Sequence, residues 1–193
     1  MNTSKQTVPM DKEGLQGAIR IARIILIAAV VVTGFYFFLA WQLSAWQLYV
    51  AGSVIVAFFI AVGFSLRLIH SGRLKTGIWI MLVGMYLVFP ATTLLIGNTG
   101  LIFAGPLVIL VYLVASQTLS SNQTRRALVI SILFALLTAA PDLIRPEFSL
   151  LVPEIQVFVP AITGVIVLVV LYFLAREAWG GSIRNKIIVM ILA

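Results

Sequence analysis

The first apolar stretch, Arg23 to Trp41, reads RIILIAAVVVTGFYFFLAW and carries no charge after its opening arginine. A helix rises about 1.5 Å per residue, so about 20 apolar residues match the hydrocarbon thickness of a bilayer. Five similar runs follow, with the bounds Leu48–Leu66, Gly77–Ile96, Gly100–Gln117, Ala127–Ile144 and Ile155–Leu174. The sequence therefore predicts an all-α polytopic membrane bundle of six transmembrane helices, arranged as three antiparallel hairpins because the connections are short.

The composition of the whole chain agrees with this prediction. Of the 193 residues, 62% are hydrophobic and 10% are charged, whereas a soluble domain has about 45–50% apolar and about 25% charged residues. Such a chain lacks the polar surface that an ordinary soluble enzyme needs. The sequence contains no cysteine, which excludes disulfides, thiolate nucleophiles and cysteine-ligated metals.

The basic residues are distributed unevenly between the two sides of the predicted bundle. The side with both termini carries twelve of the thirteen: Lys5, Lys12, Arg20, Arg23, Arg67, Arg73, Lys75, Arg125, Arg126, Arg176, Arg184 and Lys186. The positive-inside rule places this side, and so both termini, in the cytoplasm of a cell with the chain in its inner membrane. We expect these residues to contact anionic membrane lipids. Nucleic acid is not an expected partner, because no basic helix or aromatic platform lies outside the bilayer.

The chain divides into three predicted parts. Residues 1–19 form a cytoplasmic amino-terminal segment, residues 20–175 form the six-helix transmembrane domain, and residues 176–193 form a cytoplasmic juxtamembrane linker. The linker ends in an apolar run, Ile187 to Ala193, that is too short to cross a membrane. We therefore expect this run to be the start of a seventh helix that is cut off.

Small residues mark the predicted helix-packing faces, since small side chains allow close contact between helices in lipid. The second, third and fifth runs carry them at regular spacing: Ser53, Ala57, Ala61 and Ser65; Gly77, Gly84 and Ala91; Ala127, Ser131, Ala135 and Ala139.

Three prolines, Pro90, Pro106 and Pro160, lie inside the apolar runs. Each proline indicates either an ordinary kink or a hinge at a binding notch.

One polar cluster lies on the side opposite the basic residues. It comprises Asp142, Arg145, Glu147 and Glu154 in the fifth connection. Two interpretations remain open: an extracytoplasmic pocket for a small ligand or ion, or a proline-bounded loop whose charges face water. The sequence shows no paired carboxylates, catalytic triad, phosphate-binding loop or metal-ligand motif. We therefore expect no catalytic residue, no metal site and no cofactor.

The segment Ser182-Ile-Arg-Asn-Lys-Ile-Ile188 resembles the juxtamembrane start of a transmembrane helix in bacterial sensor proteins. In histidine kinases, chemoreceptors and cyclases, a stretch of the form S-[IL]-R-x-[KR]-[IL] opens such a helix. The layout of six spans followed by this segment is similar to the amino-terminal membrane modules of those proteins. The resemblance implies a homodimer that relays a signal, as in two-component systems, to downstream domains of the same polypeptide. The relay residues would be Gly180, Gly181, Ser182, Arg184 and Lys186.

Two functional hypotheses follow from the sequence. The first is a non-catalytic sensory or anchoring module of a bacterial signalling protein. The second is a small transport or channel subunit for an apolar or lipid-like substrate, with the three intramembrane prolines as kinks. Ionisable residues are nearly absent from the spans, which argues against coupling to ions or protons.

Overall fold

The computed structural model of the protein describes residues 12–144, 147–150 and 153–180, and the regular secondary structure of these residues is helical. The six helices are α1 (Lys12–Leu43), α2 (Trp46–His70), α3 (Leu74–Leu95), α4 (Gly100–Thr118), α5 (Ser121–Ile144) and α6 (Pro153–Gly180). Each predicted apolar run lies within one helix, except that Ile96 follows the end of α3. The all-α prediction is confirmed for the described part of the chain.

Five helices are long and apolar enough to cross a membrane. They are α1 through α5, with spanning segments between 19 and 29 residues. In α6 the stretch from Ala161 to Leu174 is also apolar. The structure therefore has the form of a multi-pass membrane protein, and lipid would cover its many exposed leucine, isoleucine, valine and phenylalanine side chains.

The first helix extends well beyond the apolar run that predicts it. It begins at Lys12, and Ala18 is fully buried among residues of the other helices. The predicted boundary at residue 19 therefore falls inside α1.

The helices pack mainly between chain neighbours. Helix α2 contacts α1 and α3, and α5 contacts α4 and α3. The described residues of α5 and α6 make no contact with each other, and α6 packs against α4 and α1. The predicted arrangement in three hairpins is therefore not confirmed, because the third pair shows no packing among the described residues.

The described part of the connection between α5 and α6 packs against the ends of other helices. Leu150 donates a backbone hydrogen bond to Leu95 O at 2.9 Å, and Gly97 N donates to Leu150 O at 3.3 Å. The side chain of Gln47 also donates to Phe148 O at 3.2 Å. These bonds draw the connection across the ends of α2 and α3, so α6 starts away from α5.

One cluster of buried apolar side chains lies among the helix ends that carry the basic residues. Its members include residues from the starts of α1, α3 and α5 and the ends of α2, α4 and α6: Ala18, Ile78, Ala127, Ile69, Ala115 and Leu174. Exposed basic residues flank this cluster on five of the helices: Arg23, Arg67, Lys75, Arg125 and Arg176. The structure therefore gathers the described cations at one end of the bundle.

Candidate functional site

An apolar cavity of about 120 Å³, partly open to the surface, lies between the helices. Helices α1, α2, α3, α4 and α6 form its walls, and α5 supplies no lining residue. An apolar cavity of about 150 Å³ in another protein stays dry and binds benzene. The space found here therefore suits a single ring or a short hydrocarbon segment.

The cavity exists because α6 is held at a distance from two of its neighbours. Among the described residues, α6 contacts α1 and α4 but neither α2 nor α3. Phe58 of α2 and Met85 of α3 line the gap. The facing part of α1 carries Ala28 and Ala29, whose small side chains leave the remaining space unfilled.

Two threonines on the cavity wall differ in their hydrogen bonds. The Thr92 hydroxyl lies 2.8 Å from Val88 O and 2.9 Å from Phe89 O, so it donates within its own helix. Thr163 is only 8% exposed, and its Oγ1 has no hydrogen-bond partner. The hydroxyl of the buried Tyr36 is its polar neighbour and lies close enough to act on it, although no hydrogen bond of good geometry joins the two. Tyr36 and Thr163 both line the cavity, so a molecule inside it would meet the Thr163 hydroxyl beside the Tyr36 phenol.

This unpartnered hydroxyl is the feature that makes the cavity a candidate binding site. Five described residues have a buried side-chain oxygen without a partner, and Thr163 is the one among them that lines the cavity. Leaving a buried polar group unpaired costs about 1–3 kcal/mol. A bound oxygen atom would remove that cost. The arrangement suits a small apolar molecule with one hydrogen-bonding group.

The polar groups of the described cavity lining are hydroxyls, those of Tyr36, Thr92 and Thr163. The lining residues that the structure describes include no carboxylate, imidazole or cationic side chain. The described residues also contain no group of three or more histidine, cysteine, aspartate or glutamate side chains that could hold a metal ion.

The polar cluster predicted from the fifth connection is only partly placed by the structure. Asp142 Oδ2 accepts a hydrogen bond from Leu101 N at 2.8 Å, which caps the start of α4 and favours its positive end. Glu147 is exposed. Arg145 lies outside the described residues, and Glu154 is placed only as a residue of the first turn of α6. Asp142 thus has a structural role in holding α4 to α5.

The small residues of α2 and α3 form a close seam at the basic end. Ser65 Oγ donates to Gly77 O at 2.7 Å, and both residues are buried. A Cβ atom at Gly84 would lie 2.7 Å from the Phe58 ring. The remaining predicted positions in these two helices are Ala61 and Ala91, which are half-buried, and Ser53 and Ala57, which are exposed. Ser53 and Ala57 therefore form no seam within this chain.

The small residues of α5 face α3 and α4. Ala127 and Ser131 are buried, and Ala135 and Ala139 are half-buried. Tyr86 of α3 donates its hydroxyl hydrogen to Ala127 O at 2.8 Å. At the other end of α5, Gly100 of α4 approaches the backbone of Thr138 so closely that a Cβ would clash with it. The regular spacing of small residues does not predict this packing role for Gly100.

The predicted relay residues lie at the edge of the described chain. Gly180 is the last residue of α6. Gly181, Ser182, Arg184 and Lys186 lie outside the described residues.

The sequence marks the cavity by the hydroxyl-bearing residues in its apolar runs. Neither the charged residues nor the spacing of the small residues points to the cavity. Tyr36, Thr92 and Thr163 lie within otherwise apolar runs, and polar groups at membrane depth are often functional.

The chain matches no protein-family model, and comparisons with curated proteins and with solved structures find no similar chain. The geometry of the cavity is therefore the basis for a functional proposal.

Proposed function

We propose that the protein is a membrane-embedded sensory module that binds a small apolar molecule in the cavity between its helices and relays occupancy through α6. The module has six membrane spans, with α6 as the sixth, and both termini in the cytoplasm. It is not itself an enzyme. It belongs to a bacterial signalling protein of the inner membrane, as the resemblance of residues 182–188 suggests.

The observation that carries this proposal is the dual position of α6. This helix contributes Thr163, Ile166, Val167 and Val170 to the cavity wall, and the same helix continues to Gly180 at the basic end. Among the described residues it packs against only two other helices. A ligand that displaces the cavity wall therefore moves α6, which leads to the predicted linker. This movement breaks few contacts between α6 and other helices.

A spin-label experiment tests the relay. Because the chain has no cysteine, introduced cysteines are the sole labelling sites. Labels at Ser71 and Arg176, both exposed, report the distance from the end of α2 to the end of α6. Phenol is the probe, since its ring suits the cavity and its hydroxyl can pair with Thr163. We expect phenol to shift this distance by about 1–2 Å, the usual scale of helix movements between states.

A matched label pair controls for general effects of phenol on the bilayer. It joins Ser71 to Ser121, which begins the one helix that supplies no cavity residue. We expect this second distance to stay constant. Equal changes in both pairs, or no change in either, would contradict a relay through α6.

Cysteine labelling also tests the proposed spans. Single cysteines at Ser44 and Asn98 lie in connections on the side opposite the basic residues, and those at Ser71 and Ser120 lie on the basic side. In intact cells, a membrane-impermeant maleimide should label the first two and spare the others. Labelling of Ser71→Cys or Ser120→Cys from outside would overturn the proposed orientation.

A transport or channel subunit for an apolar or lipid-like substrate is the second candidate. The observation in its favour is a crevice between α4 and α6, which is next to the cavity and is lined by exposed residues such as Leu168. In liposomes, a transporter would speed the movement of a fluorescent alkyl-chain lipid between leaflets. The sensory proposal expects the same rate with and without the protein.

A further inference from the structure

A second apolar space adjoins the cavity on its lipid-facing side. It is a crevice of about 210 Å³ between α4 and α6, and Pro106 and Gly164 lie on its walls. Ile102 and Leu168, which also line it, are 48% and 66% exposed. The crevice thus connects to the outer surface of the bundle, which lipid would cover in a membrane.

The two spaces share two lining residues, Phe103 and Val167. The barrier between them is therefore a single layer of side chains. Phe103 is held there by an edge-to-face contact with Phe89, with ring centroids 6.2 Å apart. Val167 is half-buried and faces it from α6. A narrow, flexible ligand can pass between two such side chains more easily than a rigid ring system.

We propose that the cavity and the crevice form one site for a chain-shaped amphiphile with a single oxygen group, such as an alkyl-chain alcohol or ketone. The oxygen pairs with the Thr163 hydroxyl in the cavity, and the hydrocarbon chain passes between Phe103 and Val167 into the crevice. This inference rests on the proposed function, because it names the class of ligand for the same site.

The surroundings of the protein explain why the oxygen group is needed. A purely apolar chain gains little by leaving the bilayer, since lipid tails are as apolar as the cavity wall. An alcohol or ketone at the same depth has no hydrogen-bond partner in the hydrocarbon. Thr163 supplies one, so the site selects molecules that carry an oxygen from the excess of lipid chains around it.

Blocking the crevice tests the position of the chain. A Cβ atom at Gly164 meets nothing within 4 Å, so Gly164→Phe fills the crevice without a clash at the backbone. The probes are 1-octanol, which needs both spaces, and phenol, which needs only the cavity. Affinities are measured in lipid nanodiscs from the ¹³C-methyl shift of Ile166, which lines the cavity. We expect Gly164→Phe to weaken octanol binding by about fivefold or more and to change phenol binding by less than about twofold.

Gly105→Phe is the matched control. Gly105 lies on α4, and its Cβ also meets nothing within 4 Å, but it does not line the crevice. We expect this variant to bind both probes as the native chain does. A second test variant, Val167→Ala, thins the barrier between the two spaces and should strengthen octanol binding by about threefold relative to phenol.

The outcomes separate this inference from the proposed function. If the native chain binds phenol but Gly164→Phe leaves octanol binding unchanged, the chain does not lie in the crevice and this inference fails alone. Equal losses of octanol and phenol binding in Gly164→Phe would also overturn it. If the native chain binds neither probe, the proposed ligand-binding function fails as well.

Discussion

The α2–α3 seam and the α6 wall of the cavity each combine a hydroxyl-bearing residue with a glycine, but the seam is tightly packed and the wall is open. At the seam, the Ser65 hydroxyl bonds to Gly77 O, and a Cβ at Gly77 would lie 2.7 Å from Ile69 Cγ1. On α6, the Thr163 hydroxyl has no partner, and a Cβ at Gly164 meets nothing within 4 Å. A satisfied hydroxyl beside a crowded glycine holds two helices together. An unsatisfied hydroxyl beside an open glycine leaves room for a ligand.

The largest effect should come from crowding the seam. Gly77→Ala adds a methyl group that would lie 2.7 Å from Ile69 Cγ1 and 2.9 Å from Ser65 O. We expect a loss of about 1–3 kcal/mol, which is typical of overpacking, measured as a lower melting temperature in detergent. Gly63→Ala is the control, since its Cβ meets nothing within 4 Å. A melting temperature for Gly77→Ala equal to that of the control would show that the seam is loose.

A smaller effect should come from removing the hydroxyl at the seam. Ser65→Ala deletes the 2.7 Å hydrogen bond to Gly77 O and otherwise removes only the hydroxyl oxygen of the side chain. Hydrogen bonds between membrane helices contribute about 0.6–1.7 kcal/mol. We therefore expect a modest drop in the melting temperature in detergent, between the native value and that of Gly77→Ala. No drop at all would mean that this bond does not stabilise the seam.

The smallest effect on stability should come from the corresponding change at the cavity. Thr163→Val replaces an unpartnered hydroxyl with a methyl group of similar size. We expect the melting temperature to stay the same or to rise slightly, because the variant no longer buries an unsatisfied polar group. A loss as large as that of Ser65→Ala would show that Thr163 has a structural partner, and the comparison between the two regions would fail.

The sequence predicted the helices well because their apolar length is a local property. The bounds of α4 (Gly100–Thr118) differ from the predicted run by a single residue. The neighbours of α6 could not be predicted in this way. They depend on the bonds of Leu150 across the end of α3, and neither hydropathy nor spacing encodes a contact between such distant residues.

The candidate site was harder to predict than the fold for the same reason. The charge of Asp142 marks it in the sequence, yet its role depends on the approach of Leu101 from another helix. Thr163 is visible as a hydroxyl in an apolar run, but Thr92 is equally visible. Only the packed structure shows that Thr92 bonds within its own helix and Thr163 does not.

We propose that the Thr163 hydroxyl selects an oxygen-bearing ligand inside the cavity, and the other proposals depend on this selection. The direct test compares phenol with toluene, which has nearly the same shape but no hydrogen-bonding group, by ¹³C-methyl titration of Ile166 in nanodiscs. We predict that the native chain prefers phenol, relative to their partition into lipid alone, by about 3- to 18-fold, the equivalent of about 0.6–1.7 kcal/mol. The preference should vanish in Thr163→Val while toluene binding remains. An equal preference in both proteins, or no methyl shift with either probe, would contradict the claim.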